Sequence, residues 1–393
     1  MLTRFIFAPI TIAVLALTAS TFAEEKAEAA PLKKFVTEPA AKPAAPTPAE
    51  KKPAAPPSSA ADAKTKADTA PKKPADPAAA VTTEKNAGPP AEGEPQAARA
   101  ILVTKREITA QLQIFLDQQL FSPGMIDGKP GKHLTNAFRR WQKAHALPET
   151  GVIDENVPLE SVYPVYTFHT VAKTDMKFVG NLPGKTAEQA QRKSLPYAAY
   201  ADFVAERYHT SPEFLARLNP GVRFGKLNPG DPVRVPNVEP FKIEEMPETG
   251  NLPEREEYKS RHIVITRSET ILELFDGDKL IAAIPIAPGS PAHPTPPGHW
   301  RILGIASMPT FRWDAGVLSR GVRTSNFYML PAGPRNPVGV AWMGLNKPGI
   351  GIHGTNNPYS IGTFASHGCM RTANWDISRI CHMVTAGVQV EIK

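Results

Sequence analysis

Apolar and polar positions change rhythm several times along the 393-residue chain. Behind Arg4, residues 5–23 carry no charge. Residues 24–100 then hold Leu32, Phe35, Val36 and Val81 as their large apolar side chains, amid alanine and proline. Helical spacing begins near Ile101. Ile108, Leu112, Phe115, Leu116 and Leu120 recur at i, i+4, i+7 and i+8, which predicts one amphipathic helix. Leu134, Ala137, Phe138 and Trp141 predict a second, ending before Pro148. The run Asp127-Gly128-Lys129-Pro130-Gly131 between them reads as a turn.

Two shorter helices follow, over 203–208 and 211–218, with a turn at Asn219-Pro220-Gly221. Residues 227–236 read as a turn and a closing strand. From His262 the period shortens to that of strands. His262–Ile265, Ile271–Phe275 and Lys279–Ile286 are separated by short polar turns, the second being Asp276-Gly277-Asp278. Trp300–Ile305 and Val338–Met343 add further strands. A final helix is expected from the stripe Ile377, Ile380, Cys381 and Val384, capped by Asn374 and stopped near Gly387. The expected architecture is multidomain. A small α-helical domain (101–160) and a small α+β segment (161–245) precede a mostly-β domain (259–393).

Composition changes this picture at the N-terminus. Of 42 prolines, many fall in 24–100, a stretch too poor in apolar surface to offset its chain entropy; it is expected to be an extended tether. Residues 1–23 read as an export signal, with Thr21-Phe22-Ala23 ahead of the cleavage point. An uncleaved anchor is the alternative, and would be the chain's one membrane contact. Either way the remainder is expected outside the cytoplasm, periplasmic or wall-associated. The net charge of +7 is diffuse and forms no basic tail, so nucleic acid is not expected as a partner. Two cysteines, Cys369 and Cys381, cannot build a disulfide scaffold.

Candidate chemistry gathers near the C-terminus, in Gly351-Ile352-His353-Gly354-Thr355 and Ser366-His367-Gly368-Cys369-Met370-Arg371. A thiol attacks a carbonyl as thiolate and needs an imidazole nearby; His353 and His367 are both candidates. Such a pair is expected to lower the thiol pKa below its usual ~8.5. Gly368 permits a sharp turn, so the amides of Gly368 and Cys369 are candidates to face an oxyanion. A metal site of His353, His367 and Cys369 is the rival reading, but no second Cys/His pair of zinc-site spacing accompanies it, so no metal is expected. Cys381 reads as plain core, His382 as surface, and His293 and His299 as loop residues. Phe311, Trp313, Phe327 and Tyr328 read either as packing or as a lid.

The two motifs together resemble the signature of the L,D-transpeptidase catalytic domain, the YkuD family. Thr295-Pro296-Pro297-Gly298-His299-Trp300, Asn336-Pro337 and the Val388–Ile392 strand fit the same pattern. The resemblance implies a β-sandwich with a C-terminal helix, and an acyl-transfer enzyme without a cofactor. It implies Cys369 as nucleophile and His353 as proton acceptor and donor. The Gly354 carbonyl would orient the imidazole, while Ser366, His367, Gly368 and Arg371 would shape the oxyanion and substrate site. The implied substrates are peptidoglycan stem peptides: a thioester forms with loss of D-Ala, and an amine resolves it into a 3→3 cross-link. An L,D-carboxypeptidase using the same thioester, or a non-catalytic wall-binding protein, are the alternatives. Leu112, Leu116, Asp127-Gly128, Gly131, Thr135, Ala137, Phe138, Trp141-Gln142, Leu147-Pro148, Thr150-Gly151 and Asp154 resemble a three-helix peptidoglycan-binding domain, which implies cell-wall proximity. Residues 165–168 and 203–236 are similar to a LysM module with a long insertion, read as a glycan binder or as a spacer or docking element.

Overall fold

The computed structural model describes residues 105–364 and 366–393. The expected export signal (1–23) and tether (24–100) lie outside the described residues. Apolar periodicity produces α1 (Lys105–Gln118) and α2 (Lys132–Ala144), which bury Leu112, Ile114, Phe115, Leu116, Leu134, Phe138 and Trp141. The Trp141 ring meets Phe115 edge-on at 5.1 Å, the favoured aromatic geometry. Ile108, expected on the stripe, is instead 38% exposed, while Ile114 is fully buried in the core. Only a 3₁₀ turn, Leu159–Ser161, stands where a third helix was implied among the described residues of this region.

The motif turns of this helical domain are held from inside. Gln113 Oε1 accepts from the amides of Asp127 and Gly128, at 3.1 and 2.8 Å. Gln142 Oε1 accepts from the Gly151 amide at 2.8 Å, and its Nε2 donates to Thr150 Oγ1. Gly128 has φ +68°, and a Cβ there would meet Arg106 Cγ at 2.4 Å, so glycine is required. Asp127-Gly128 and Thr150-Gly151 therefore carry turn geometry, whatever else they touch.

The next segment runs strand, helix, helix, strand. β1 (Tyr166–Thr170) carries into a long excursion that holds a short helix, α3 (Thr186–Gln189). α4 (Tyr200–Arg207) and α5 (Pro212–Leu218) follow, and β2 (Pro232–Pro236) returns antiparallel to β1, pairing Phe168 with Arg234. Ser211 caps α5 by accepting from the Phe214 amide at 3.2 Å, and Pro212 sits at the first helical position, where its missing N–H costs nothing.

Nine of the remaining strands make one sheet. These are β3 (Gly250–Asn251), β4 (Arg261–Thr266), β5 (Ile271–Asp276), β6 (Lys279–Pro285) and β7 (Gly298–Ser307). A separate hairpin of β8 (Phe311–Asp314) and β9 (Phe327–Leu330) encloses α6 (Ala315–Arg320). Then come β10 (Ala341–Leu345), β11 (Gly351–His353), β12 (Met370–Arg371), α7 (Asn374–Ile380) and β13 (Gln389–Ile392). The order is β12-β11-β10-β7-β13-β4-β5-β6, with β3 also on β7. The long strand β7 joins the halves: its first residues pair with β13 and its last with β10. The last strand in sequence thus lies in the middle of the sheet, parallel to β4. Asn374, expected to cap α7, is its first residue and makes no capping bond; Ala373 holds the cap position.

The described residues belong to a single compact unit. The preceding modules are packed on the β domain. The Ser122 amide and the Leu120 carbonyl bond to Ala283 on edge strand β6, which closes that edge against other chains. Leu195, in the excursion after β1, exchanges backbone bonds with Ala332 and Arg335. Among the described residues no helix is long and apolar enough to cross a membrane.

Candidate active site

The site is built on the short parallel pair β11–β12. Ile352 faces Met370 and His353 faces Arg371 across the ladder. Side chains alternate along a strand, so Ile352 and Met370, both fully buried, share one face. Cys369 (just before β12), Arg371 and His353 share the other. On β10 the antiparallel partner of His353 is Trp342, whose ring stacks on the imidazole at 5.2 Å and 21°. Gly351 makes room: a Cβ there would lie 2.6 Å from Trp342 Cζ2.

Cys369, His353, Ser366, His367, Arg371, Gly349 and Trp342 all line one cavity of about 290 Å³. Phe311 and Trp313 from β8 line it too, so these two aromatics form part of the cavity wall. Tyr328 meets Trp313 at 6.0 Å, and the Arg312 guanidinium lies over the Phe327 ring at 3.6 Å.

His353 is buried, and its Nδ1 lies 2.6 Å from the Gly354 carbonyl oxygen. A carbonyl only accepts, so Nδ1 carries the proton and Nε2 keeps the lone pair. Cys369 is half-buried, and its Sγ donates to the Gly349 carbonyl at 3.4 Å. Burial pushes the Cys369 thiol up to about 11, against opposing pulls from the Gly351 backbone and the Arg371 guanidinium. Burial also holds the His353 imidazole down to about 4, with the Gly354 carbonyl pulling the other way. The expected low thiol pKa is therefore reversed. The resting pair is a neutral thiol and a neutral imidazole, because desolvation opposes both charges.

The turn between the motifs is self-bonded. Ser366 Oγ donates to the Cys369 carbonyl, and the Gly368 amide donates to Ser366 Oγ at 3.2 Å. In this conformation the Gly368 amide serves the turn rather than the cavity. Gly368 has φ +104°, which only glycine adopts without strain. The His367 ring lies 5.0 Å from that of His293, a loop residue whose proximity no local pattern signals. Among the described residues no three His, Cys, Asp or Glu side chains are grouped to hold a metal ion. Cys381 is buried, with its thiol pushed up to about 12 by desolvation, and His382 is exposed.

Residues 260–392 match the L,D-transpeptidase catalytic domain, and residues 105–157 match a putative peptidoglycan binding domain. Residues 260–392 belong to the L,D-transpeptidase catalytic-domain family. A putative L,D-transpeptidase YkuD of Bacillus licheniformis is 29% identical over 48% of this chain and 90% of its own length. The Bacillus subtilis protein of that name is 38% identical over 22% of this chain and 53% of its own. A probable L,D-transpeptidase YbiS of Escherichia coli is 31% identical over 33% of this chain and 43% of its own. The L,D-transpeptidase domain is thus a cysteine-dependent acyltransferase domain joined to a peptidoglycan-binding domain. The two family matches, over 105–157 and 260–392, do not include the LysM-like residues 161–245.

Sequence reasoning left Trp342 unmarked as a site residue. The strand over 338–343 was legible, but its pairing with His353 crosses a loop that no periodicity describes.

Proposed function

We propose that the chain is an exported peptidoglycan L,D-transpeptidase that forms 3→3 cross-links through a Cys369 thioester. The observation that carries this is the His353 Nδ1 bond to Gly354, which leaves Nε2 basic in the cavity that Cys369 lines. As sulfur attacks the carbonyl at the L-centre of the donor's third residue, His353 Nε2 takes the thiol proton. It then passes that proton to the nitrogen of the leaving D-Ala, and the thioester remains. An amine of a second stem peptide attacks the thioester, gives its proton to His353 and expels the sulfur, which recovers a proton from the imidazolium. No cofactor enters either half. Arg371, half-buried beside the thiol, suits a substrate carboxylate or the developing oxyanion. His367 and Ser366 shape the cavity wall, and Gly368 supplies the turn.

The peptidoglycan-binding domain and the LysM-like segment would hold the catalytic cavity against its polymer substrate. The strand–helix–helix–strand order of 166–236 supports the LysM reading, while its docking through Leu195 supports a structural role as well. The uncharged residues 5–23 and the Ala/Pro-rich stretch 24–100 support export and a periplasmic or wall-associated place. The test is incubation of the purified protein with tetrapeptide muropeptides and mass spectrometry of the products. Cross-linked dimers are expected. Trimmed tripeptides alone would make it a carboxypeptidase, and unchanged substrate would leave a binding protein.

A further inference from the structure

Behind the active site a buried carboxylate reaches in from outside the catalytic domain. Glu206, on α4 of the LysM-like segment, is 3% exposed. Its Oε1 accepts from Asn374 Nδ2, the same amide group that donates to the Pro334 carbonyl at 3.1 Å. The amide oxygen of Asn374 accepts from the Val340 backbone at 3.2 Å. That oxygen sits in a notch between two glycines. A Cβ on Gly354 would lie 2.3 Å from it, and a Cβ on Gly339 only 2.1 Å. Gly339 in turn packs on the Gly354 backbone, where its Cβ would approach the carbonyl carbon to 2.6 Å. Gly354 is the residue whose carbonyl holds His353 Nδ1.

We propose that Glu206 is a positioning residue for acyl transfer: by orienting the Asn374 amide it fixes the Gly354 peptide and so the tautomer of His353. The ordering is one of sense as well as place. Asn374 could pack with its amide turned either way, and only one way puts the oxygen, which has no hydrogens, into the glycine notch. The Glu206 acceptor strengthens that sense, which the Val340 amide and the Pro334 carbonyl also favour, because it must be met by the NH₂ group. The link also has a brace. Arg335 lies 3.8 Å from Glu206 Oε2 and 3.4 Å from Asp202, and it donates to the Asn356 carbonyl at 2.9 Å, three residues past His353. The LysM-like segment thereby holds the loop after His353 at two points. This ties a module with no chemistry of its own to the geometry of the base, and a second shell of this kind is what keeps a catalytic group within a fraction of an ångström.

The inference rests on His353 acting as the base, and its test separates the two claims. In the full chain, Glu206→Met keeps the volume and removes the acceptor, while Glu206→Gln keeps an acceptor oxygen without the charge. The ¹⁵N signals of the His353 imidazole report its tautomer independently of activity. Wild type and Glu206→Gln are expected to show one Nδ1–H form. Glu206→Met should show a mixture and lose roughly tenfold in kcat with KM little changed. A single tautomer and full kcat in Glu206→Met would overturn the proposal, as would an equal loss in Glu206→Gln. Full activity in His353→Ala would instead remove the base assignment, whatever the tautomer signals show.

Discussion

His353 Nδ1 is bound to the carbonyl of Gly354, its own neighbour, at 2.6 Å. An imidazole oriented by a peptide carbonyl has no carboxylate to stabilise its charged form. Burial then dominates, and the imidazole stays neutral down to about pH 4. The thiol stays protonated up to about pH 11 for the same reason. In the proposed reaction, proton transfer therefore accompanies attack rather than preceding it.

The first expectation is a broad pH plateau. Below about 4 the imidazolium cannot accept a proton, and above about 11 the thiol ionises unaided. Between those limits the rate of Cys369 acylation by a carbapenem, read by mass spectrometry, should vary little. His353→Ala should lower it by roughly 10²-fold or more, while His367→Ala keeps the plateau. A rise centred near pH 8.5 in wild type would indicate an unassisted thiolate and count against the base.

The two cysteines should differ in kind. Cys369 lines the cavity, whereas Cys381 is buried at the end of α7 with its thiol bonded to the Ser378 carbonyl. Peptide mapping after carbapenem or iodoacetamide treatment of the native protein should find label on Cys369 alone. Label on Cys381 before unfolding would contradict the assignment.

Gly351→Ala should damage the site and spare the rest of the fold. The added methyl would meet Trp342 Cζ2 at 2.6 Å and the Met343 carbonyl at 2.8 Å, and the indole stacked on His353 would have to move. A cost of about 1–3 kcal/mol in stability is expected, with a drop in kcat of roughly tenfold or more. Denaturant melts and steady-state rates measure the two effects separately. Unchanged kcat would show that Trp342 does not steady the base.

Arg379→Ala should loosen the modules from the catalytic domain. Arg379 Nη2 lies 2.8 Å from Asp117 Oδ2, and His209 Nδ1 lies 2.9 Å from the same oxygen, with Asp117 fully buried on α1. The cation and the imidazole hold the Asp117 carboxyl well below the usual carboxylate range despite burial. Removing the cation leaves a buried charge half-compensated, at a cost of about 3–5 kcal/mol. Thermal unfolding should shift down accordingly, and limited proteolysis should begin to cut between α2 and β4. Resistance equal to wild type would mean the modules hold by apolar contact alone.

His353 also gives the folded state a pH dependence of known sign. Its pKa is lower folded than unfolded, so between about 4 and 6.5 the unfolded chain binds more protons, and stability falls as pH drops through that window. Glu206 works oppositely. Burial raises it to about 7, so its contribution is full below 4.5 and is lost as pH rises through 7. Glu206→Gln should therefore raise the melting temperature at pH 8 relative to wild type and change it little at pH 4.5. A larger gain at pH 4.5 than at pH 8 would reverse the assigned sign.

Local order was legible in the residues themselves. The stripes of α1 and α2, the hairpin of β5 and β6 around Asp276-Gly277-Asp278, and the two motifs that supply His353 and Cys369 all follow from spacing, turn chemistry and residue type over a few positions. Such signals come from periodicity and from backbone sterics, which act between near neighbours. The tertiary structure decided the rest, because it concerns partners far apart in sequence. It placed β13 between β7 and β4, set Trp342 against His353, and brought Glu206 to Asn374 across 168 residues. It also decided the charge state of the site. A nearby imidazole led to the expectation of a lowered thiol pKa, but the pKa of each group depends on how much water the assembled walls exclude. Here desolvation outweighs the nearby dipoles, and that quantity exists only once the chain has closed around the cavity.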